Sequence, residues 1–412
     1  MSALSTEGGL SGTAVRAANE LTSRWALALG EAAAAGTAFA GIGVWPLLGL
    51  LGAGADEQGR AELGAAFGLE GDDPAIAGDA VRGVVDLFDR APGLSLAMGI
   101  WRSQALTLHE DWLALLPPAT RGVLSGNPGR DQQALDAWVQ EHTLGRISKM
   151  PCQLSPSTLL VLASALTVTT QWRQKLQRKR GGVRGVGAWA HTSLPLLTRD
   201  VQTSASAADA WAWLAKTPAG PVTLSLVAGT DDIDVYLMLG EEQRPAASVL
   251  GHGINALATV RQDAVPCTAW TGVNPAPGVM VGEIPSHTGD PMTRLECVAF
   301  DLSASHNLLA LPDVFGLGHS SSPGDRFPGV GDQPVYVQQA QQSVVAEFTE
   351  EGFKAAAVTA MSMVRAAMVR PPGGTAKLTT ISYTRPFGFA AVHRGSGLVL
   401  VTGWVAQPTV LN

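Results

Sequence analysis

One stretch constrains the fold more than any other. It runs over residues 347–368: Glu347-Phe348-Thr349-Glu350-Glu351-Gly352-Phe353-Lys354-Ala355-Ala356-Ala357-Val358-Thr359-Ala360-Met361-Ser362-Met363-Val364-Arg365-Ala366-Ala367-Met368. It begins as a strand, turns at Gly352, and then carries small residues where a loop ordinarily carries Asn, Asp or Pro. Small side chains followed by Val358 and Thr359 suit an exposed loop. They equally suit a strand that slides between two others, because they need little room and tolerate extended geometry. A surface helix or an Ala-rich linker is the alternative on local pattern alone.

The rest of the chain has to supply a body large enough to host such a segment. At 412 residues it exceeds a typical domain, so two domains is the naive expectation, although large single-domain folds reach this size. With 46% hydrophobic and only 15% charged residues it can fill a large core, and 47 Gly with 25 Pro imply many turns. A net charge of -7 argues against nucleic acid as a partner. Cys152, Cys267 and Cys297 lie far apart without ligand spacing, which points to buried small hydrophobes and away from a disulfide framework or thiolate metal site. Residues 1–12 are polar and Gly-rich with no basic residue before an apolar run, so no secretory signal is expected and the cytoplasm is. Residues 32–55 carry no charge and are long enough to span a bilayer, but Pro46 and the missing flanking anchors favour a buried strand plus a core helix.

Periodicity gives the elements. Ser11 and Thr13 can cap a helix with Val15, Ala18, Leu21, Trp25 and Leu29 at helical spacing, ended by Gly30. Residues 56–67 and 75–90 read as two further helices, so the first third is mostly helical. Residues 95–107 look like a strand region containing Trp101. A helix opening at Asp131 puts Leu135, Trp138, Val139 and His142 on one face and closes at Gly145. The neutral run 159–172 gathers β-branched residues towards its end, as a buried central strand should. Val222, Leu224 and Leu226 alternate, Gly229-Thr230-Asp231-Asp232 turns, and Ile233, Val235, Leu237 and Leu239 alternate again, which is a hairpin with a buried face.

Several blocks carry a resemblance. Glu350-Glu351-Gly352 followed by Ala355-Ala356-Ala357 resembles the hinge of the serpin reactive-centre loop. Residues 136–172 resemble the serpin segment in which a helix crosses the main sheet and leads into a central strand ending at a Trp. The matching residues are Ala137-Trp138-Val139, Thr143-Leu144-Gly145-Arg146-Ile147, the Ser155-Pro156-Ser157-Thr158 turn and Trp172. Residues 308–318 with Phe315 and Leu317, then Phe327-Pro328-Gly329-Val330, resemble the helix and turn before the hinge strand. Arg385-Pro386-Phe387-Gly388-Phe389, Gly397-Leu398-Val399-Leu400 and Gly403-Trp404-Val405 with Pro408 resemble the closing strands.

The chain is therefore similar to serpins, of the bacterial type, from about Ala14 to Pro408. The resemblance implies an α+β fold: a helical cluster packed on a large mixed β-sheet, additional smaller sheets, and an exposed reactive-centre loop over about residues 353–372. It implies one domain over residues 1–412, a monomer, no cofactor, no metal, and no nucleic-acid or membrane partner.

The activity implied is suicide inhibition of a serine protease, with a cysteine protease as a lesser option. The protease cuts the loop as a substrate, and the freed hinge inserts as a new central strand. Counting in the family manner from Gly352 puts the reactive bond between Ala366 and Ala367, which suits elastase-like or subtilisin-like pockets. A one-residue shift puts Arg365 at the cut and selects a trypsin-like enzyme. Alternate hinge residues Phe353, Ala355, Ala357 and Thr359 would face inward. Phe353 departs from the family, which prefers Thr or Ser there, and overpacking a tight core costs about 1–3 kcal/mol. The sheet-opening positions depart too: Ala38, Gly41, Ser164 and Gln342 stand where the family has its usual polar network, while Trp172 and Glu350 are kept. The alternatives are a non-inhibitory serpin-fold protein binding a partner or small hydrophobic ligand, or an enzyme on the same scaffold.

Other constellations are weak. No His-Glu-x-x-His, Walker loop or Gly-x-Ser-x-Gly elbow occurs. His109 reads as a solvated helix end and His252, between two glycines, as a loop residue. Arg173, Lys175, Arg178, Lys179, Arg180 and Arg184 form a basic cluster that could dock a polyanion, with a solvated loop as the plainer reading.

Overall fold

The computed structural model of the protein describes residues 10–69, 74–116, 120–179, 183–202, 206–354 and 374–408. Hinge positions Ala355, Ala357 and Thr359, the reactive-bond candidates Arg365, Ala366 and Ala367, and Arg180 lie outside the described residues.

The helical third follows the periodicity. Helix α1 (Gly12–Ala28) is capped by Ser11, whose hydroxyl accepts from the Ala14 N–H at 3.1 Å, a contact worth about 1 kcal/mol. Val15, Ala18, Leu21 and Trp25 are buried along one face. The uncharged stretch resolves into strand β1 (Thr37–Phe39) and helix α2 (Gly41–Gly54), a buried strand and a core helix. Being apolar all round, α2 is buried over most of its surface, with Leu47, Leu51 and Ala53 partly exposed. Its Trp45 stacks on Phe67 with ring centroids 4.3 Å apart and donates Nε1–H to the Phe67 carbonyl at 2.8 Å. Helix α3 (Glu57–Phe67), capped by Asp56, and helix α4 (Pro74–Arg90) complete the cluster. Among the described residues no helix is long and apolar enough to cross a membrane.

Next come β2 (Leu94–Ser103), α5 (Glu110–Leu113), β3 (Thr120–Leu124), α6 (Pro128–His142) and β4 (Leu160–Gln171). Short strands β5 (Gln177–Arg178), β6 (Val183–Arg184) and β7 (Ser193–Leu194) precede β8 (Leu196–Gln202) and β9 (Ala212–Thr217). The expected hairpin is β10 (Gly220–Ala228) with β11 (Ile233–Leu239). After α7 (Ala246–Leu257), α8 (Val260–Asp263) and β12 (Val265–Pro266) come β13 (Val279–Ser286), β14 (Met292–Val298) and β15 (Phe300–Asn307). Residues 308–318 hold only a 3-10 turn and the one-turn helix α9 (Pro312–Phe315). The chain closes with β16 (Gln341–Phe348), β17 (Gly352–Lys354), β18 (Gly374–Ser382), β19 (Phe387–His393) and β20 (Leu398–Val405).

The main sheets are a seven-stranded one ordered β1-β20-β19-β11-β10-β9-β12, a six-stranded one ordered β15-β16-β17-β4-β2-β3, and a five-stranded one ordered β13-β18-β14-β8-β5. Aromatic rings join the first two. Phe300 of the six-stranded sheet lies 4.7 Å from Phe389 of the seven-stranded one, and Phe348 stacks on Phe300 at 5.2 Å. Helices and several sheets together make the α+β class expected from the sequence.

His252 corrects one expectation. It lies inside α7, not in a loop. Its flanking glycines serve close packing: a Cβ on Gly251 would sit 2.6 Å from the Leu27 side chain of α1, and one on Gly253 would sit 2.7 Å from Met238 Sδ. Cys267 and Cys297 are buried, Cys152 is partly so, and all three are free thiols. Burial pushes the Cys297 thiol up to about 12.

Candidate functional site

The candidate site is the top of the six-stranded sheet and the seam beneath it. The chain leaves β16 and turns over residues 349–352, with Thr349 N–H donating to the Gly352 carbonyl at 3.0 Å. It then re-enters the same sheet as β17. Phe353 pairs with Phe348 of β16 on one side and Thr170 of β4 on the other. Gly352 is required at the entry point, because a Cβ there would collide with the Thr170 carbonyl oxygen of β4. The expected loop therefore starts later than position 353: Phe353 and Lys354 are already strand.

The overpacking expected of Phe353 is not found. Its ring is fully buried, with its centroid 5.9 Å from that of Phe389 in the seven-stranded sheet. The aromatic layer between the sheets continues under β17, so a ring fits where a flat count of hinge positions favours a hydroxyl.

Trp172, at the end of β4, ties the turn down. Its Nε1–H donates to the Thr349 carbonyl at 2.9 Å, its backbone N–H to the Glu351 carbonyl at 2.9 Å, and its ring lies 4.9 Å from Phe348. The hinge acids meet the basic cluster. Arg178 donates Nε–H and Nη2–H to the two Glu350 oxygens at 2.9 and 3.2 Å, and Lys175 reaches Glu351 at 3.3 Å. Lys179 pairs with Glu296 at 2.8 Å, and Arg173 donates to the Gly229 carbonyl at 3.0 Å. The cluster is therefore largely occupied with acids and carbonyls of its own chain. Arg178 is half exposed, so its pair with Glu350 contributes under about 1 kcal/mol.

Among the described residues the sheet is open below β17. Only β17 bridges β4 and β16, and no pairing joins those two strands directly among the described residues. The seam leads into a cavity of about 330 Å³ whose floor is α2, through Val44, Leu47, Leu48 and Leu51. Arg146, just past α6, spans to β16 and pairs with Glu347 at 3.2 Å.

Ser164 and Gln342 face each other across this seam and share one target, the start of α2. The Ser164 hydroxyl donates to the Gly43 carbonyl. The Gln342 amide grips Ala40 at both ends, accepting from its N–H at 2.9 Å and donating to its carbonyl at 2.8 Å. Gly41 opens α2 against α1, where a Cβ would strike the Thr22 hydroxyl. Ala38 presents its carbonyl to His306 Nε2, which donates at 3.0 Å and lies 3.2 Å from Thr37 Oγ1. Burial holds the His306 imidazole below its usual range, partly offset by that hydrogen bond.

The structure thus brings Glu350, Glu351, Gly352, Phe353 and Trp172 together at the head of the seam, and Ala38, Gly41, Ser164 and Gln342 together lower down. Sequence reading missed His306, Thr37, Arg146–Glu347 and the hinge ion pairs. The adjacent acids Glu350 and Glu351 and the nearby basic run were a visible charge signal, but their partnership was not.

Comparison with known proteins agrees with this architecture. The family model described as Serpin (serine protease inhibitor) matches residues 16–183. A putative serpin-Z6C of Oryza sativa subsp. japonica is 25% identical over 439 aligned positions, covering 97% of each chain. Serpin B11 of Mus musculus is 23% identical over 341 residues, covering 79% of this chain and 78% of that protein. Among solved structures, a cleaved Serpin 42Da superposes with a TM-score of 0.72 at 14% identity, covering 97% of this chain and 100% of that one. A thyroxine-binding globulin in complex with thyroxine does so with 0.69 at 15% identity, covering 97% and 99%. The serpin family match over residues 16–183, these likenesses, and a hinge that re-enters its own sheet together support membership of the serpin superfamily.

Proposed function

We propose that this protein is a serine-protease inhibitor that works by loop cleavage and strand insertion, acting as a single-domain monomer. One observation carries the reading: the hinge is already seated as a strand in the mouth of an unfilled strand position, with Phe353 fitted into the core beneath it. Each further loop residue matches one residue earlier on both β4 and β16. Six positions beyond Phe353, residue 359 falls opposite both Ser164 and Gln342, and the sequence has Thr359 there. Its side chain would share the inward parity of Phe353, as would those of Ala355 and Ala357. Strand β4 begins at Leu160 and β16 at Gln341, which by the same register correspond to residues 363 and 360. A cut between Ala366 and Ala367 would leave that whole stretch free to enter, and gives an elastase-like or subtilisin-like target. A cut after Arg365 would select a trypsin-like one.

The test is to mix the protein with an elastase-like and a trypsin-like protease, run denaturing gels and weigh the released C-terminal fragment. A band at the summed mass, with the fragment starting at Ala367, is the expected result. Cleavage by every serine protease tried without a trapped complex would overturn it.

A second reading, a non-inhibitory protein that carries a small hydrophobic ligand, is favoured by one observation. A structural neighbour at 0.69 is a thyroxine-binding globulin solved with thyroxine. It predicts clean cleavage without trapping.

A further inference from the structure

The cavity beneath the seam has two parts with different chemistry. On the hinge side it lies between the facing edges of β4 and β16. A polar waist then narrows it, where Ser164 and Gln342 both reach the first turn of α2. A Cβ on Gly43 would sit 3.8 Å from the Ser164 hydroxyl and 3.1 Å from the Gln342 amide nitrogen. Beyond the waist β16 ends at once, at Gln341, and β4 ends at Leu160. The cavity continues past both, between residues 153–159 on one side and 334–340 on the other. A peptide strand runs out of edges to pair with there, so side chains decide what fits.

Those side chains are apolar. Leu47 and Leu51, one turn apart on α2, form the floor and are partly exposed in a helix that is otherwise largely buried. Leu160 and Leu162 share the inward face of β4 with Ser164 and are partly exposed too. The roof is the connector from α6 to β4, which contributes Met150 and Leu154. It is pinned to α6, since the Met150 N–H donates to the Asp136 carboxylate at 2.9 Å and the Leu154 N–H to the Gln132 side-chain oxygen at 3.0 Å.

Among the described residues no charged side chain lines this far part. Arg146, which also lines the cavity, stands on the hinge side of the waist and is paired with Glu347. The Cys152 thiol is pushed up by burial and stays neutral. The rim is polar but uncharged. Gln153 and Gln339 clasp each other there: the Gln153 N–H donates to the Gln339 side-chain oxygen at 3.0 Å, and the Gln339 amide donates to the Gln153 carbonyl at 2.9 Å. Ser157 and Gln338, both exposed, line it as well.

Water gains little against such walls, because a buried water needs several polar partners, whereas an apolar cavity of ~150 Å³ stays dry and takes benzene. The whole cavity here measures about 330 Å³. We propose that its far part is a binding site for an uncharged single-chain amphiphile, with the hydrocarbon chain against Leu47, Leu51, Leu160 and Leu162 and a hydroxyl or amide head at the glutamine rim. Binding needs no loop cleavage, so the site stands apart from the inhibitory reading.

The test titrates the uncut, full-length protein with 1-decanol and with decanoate, by calorimetry and by displacement of the uncharged dye Nile red. Leu51→Trp and Val337→Trp fill the cavity from floor and wall, and Met280→Ala removes an exposed apolar side chain elsewhere. Saturable binding of one decanol is expected, weakened about tenfold or more by either Trp variant and unchanged in Met280→Ala. Decanoate is expected to bind about tenfold more weakly than decanol, because its carboxylate finds no cation on this side of the waist. Should Leu51→Trp fail to fold, Val337→Trp, outside any helix or strand, carries the test. No saturable decanol binding to wild type, or binding untouched by the Trp variants, overturns the site. Decanoate bound as tightly as decanol overturns the uncharged head. Protease trapping is scored on the same preparation. Trapping without decanol binding removes this site and leaves inhibition standing, and binding without trapping does the reverse.

Discussion

The seven-stranded and six-stranded sheets are built from similar residues and differ in how completely they are closed. In the seven-stranded sheet β11 and β20 are buried along their whole length and paired on both edges. In the six-stranded sheet β4 and β16 turn Ser164 and Gln342 inward among apolar side chains, and among the described residues only Gly352–Lys354 pairs between them. A saturated sheet has nothing to gain by rearranging. A sheet with two free edges over an apolar floor has backbone hydrogen bonds still to make, so it stores the capacity for a further strand.

The largest expected effect tests the closed sheet. Phe389→Ala removes a fully buried ring that touches Phe300 and Phe353, and should lower the unfolding free energy by about 3–5 kcal/mol in a denaturant titration. Phe353→Ala removes an equally buried ring, but its three-residue strand can withdraw from the seam, which caps the loss. About 1–2 kcal/mol is expected, with faster hydrogen exchange at Phe348 and Thr170. A loss as large as that of Phe389→Ala, with those amides still protected, would erase the distinction between the two sheets.

Gln342→Leu leaves both the N–H and the carbonyl of Ala40 without their side-chain partner at the start of α2, and should cost about 1–3 kcal/mol. The same variant is expected to alter how readily the seam accepts a loop peptide, whereas a Thr402→Val change in the closed sheet is not.

The smallest effect is a pH dependence. Because burial depresses His306 below its ordinary value of about 6.5, the unfolded chain binds the proton more readily than the folded one. That stability is fully present above about pH 6.5 and is lost as pH falls from there through the lower folded value. His306→Gln should flatten this part of the stability curve. An unchanged curve would assign the dependence elsewhere.

How much was legible follows the range of each interaction. The cap at Ser11, the α3 boundaries at Asp56 and Gly68, and the β10–β11 hairpin are set by residues a few positions apart, and sequence pattern finds them. Gln342 and Ala40 are 302 residues apart, and Arg178 and Glu350 are 172 apart. No local period reports such pairs. His252 was misread for the same reason: its glycines answer to Leu27 and Met238, not to their own neighbours.

By itself, the sequence determined the helical first third, the buried central strand ending at Trp172, the hinge signature Glu350-Glu351-Gly352 and, through them, the fold class. These depend on side-chain periodicity and backbone preference, which are properties of consecutive residues. Only the tertiary structure decided that Phe353 fits, that Ser164 and Gln342 meet on the first turn of α2, and that β13 pairs along the edge of β18. Those outcomes depend on which volumes and which free edges are left when distant strands come together, and close packing makes each a property of the whole assembly.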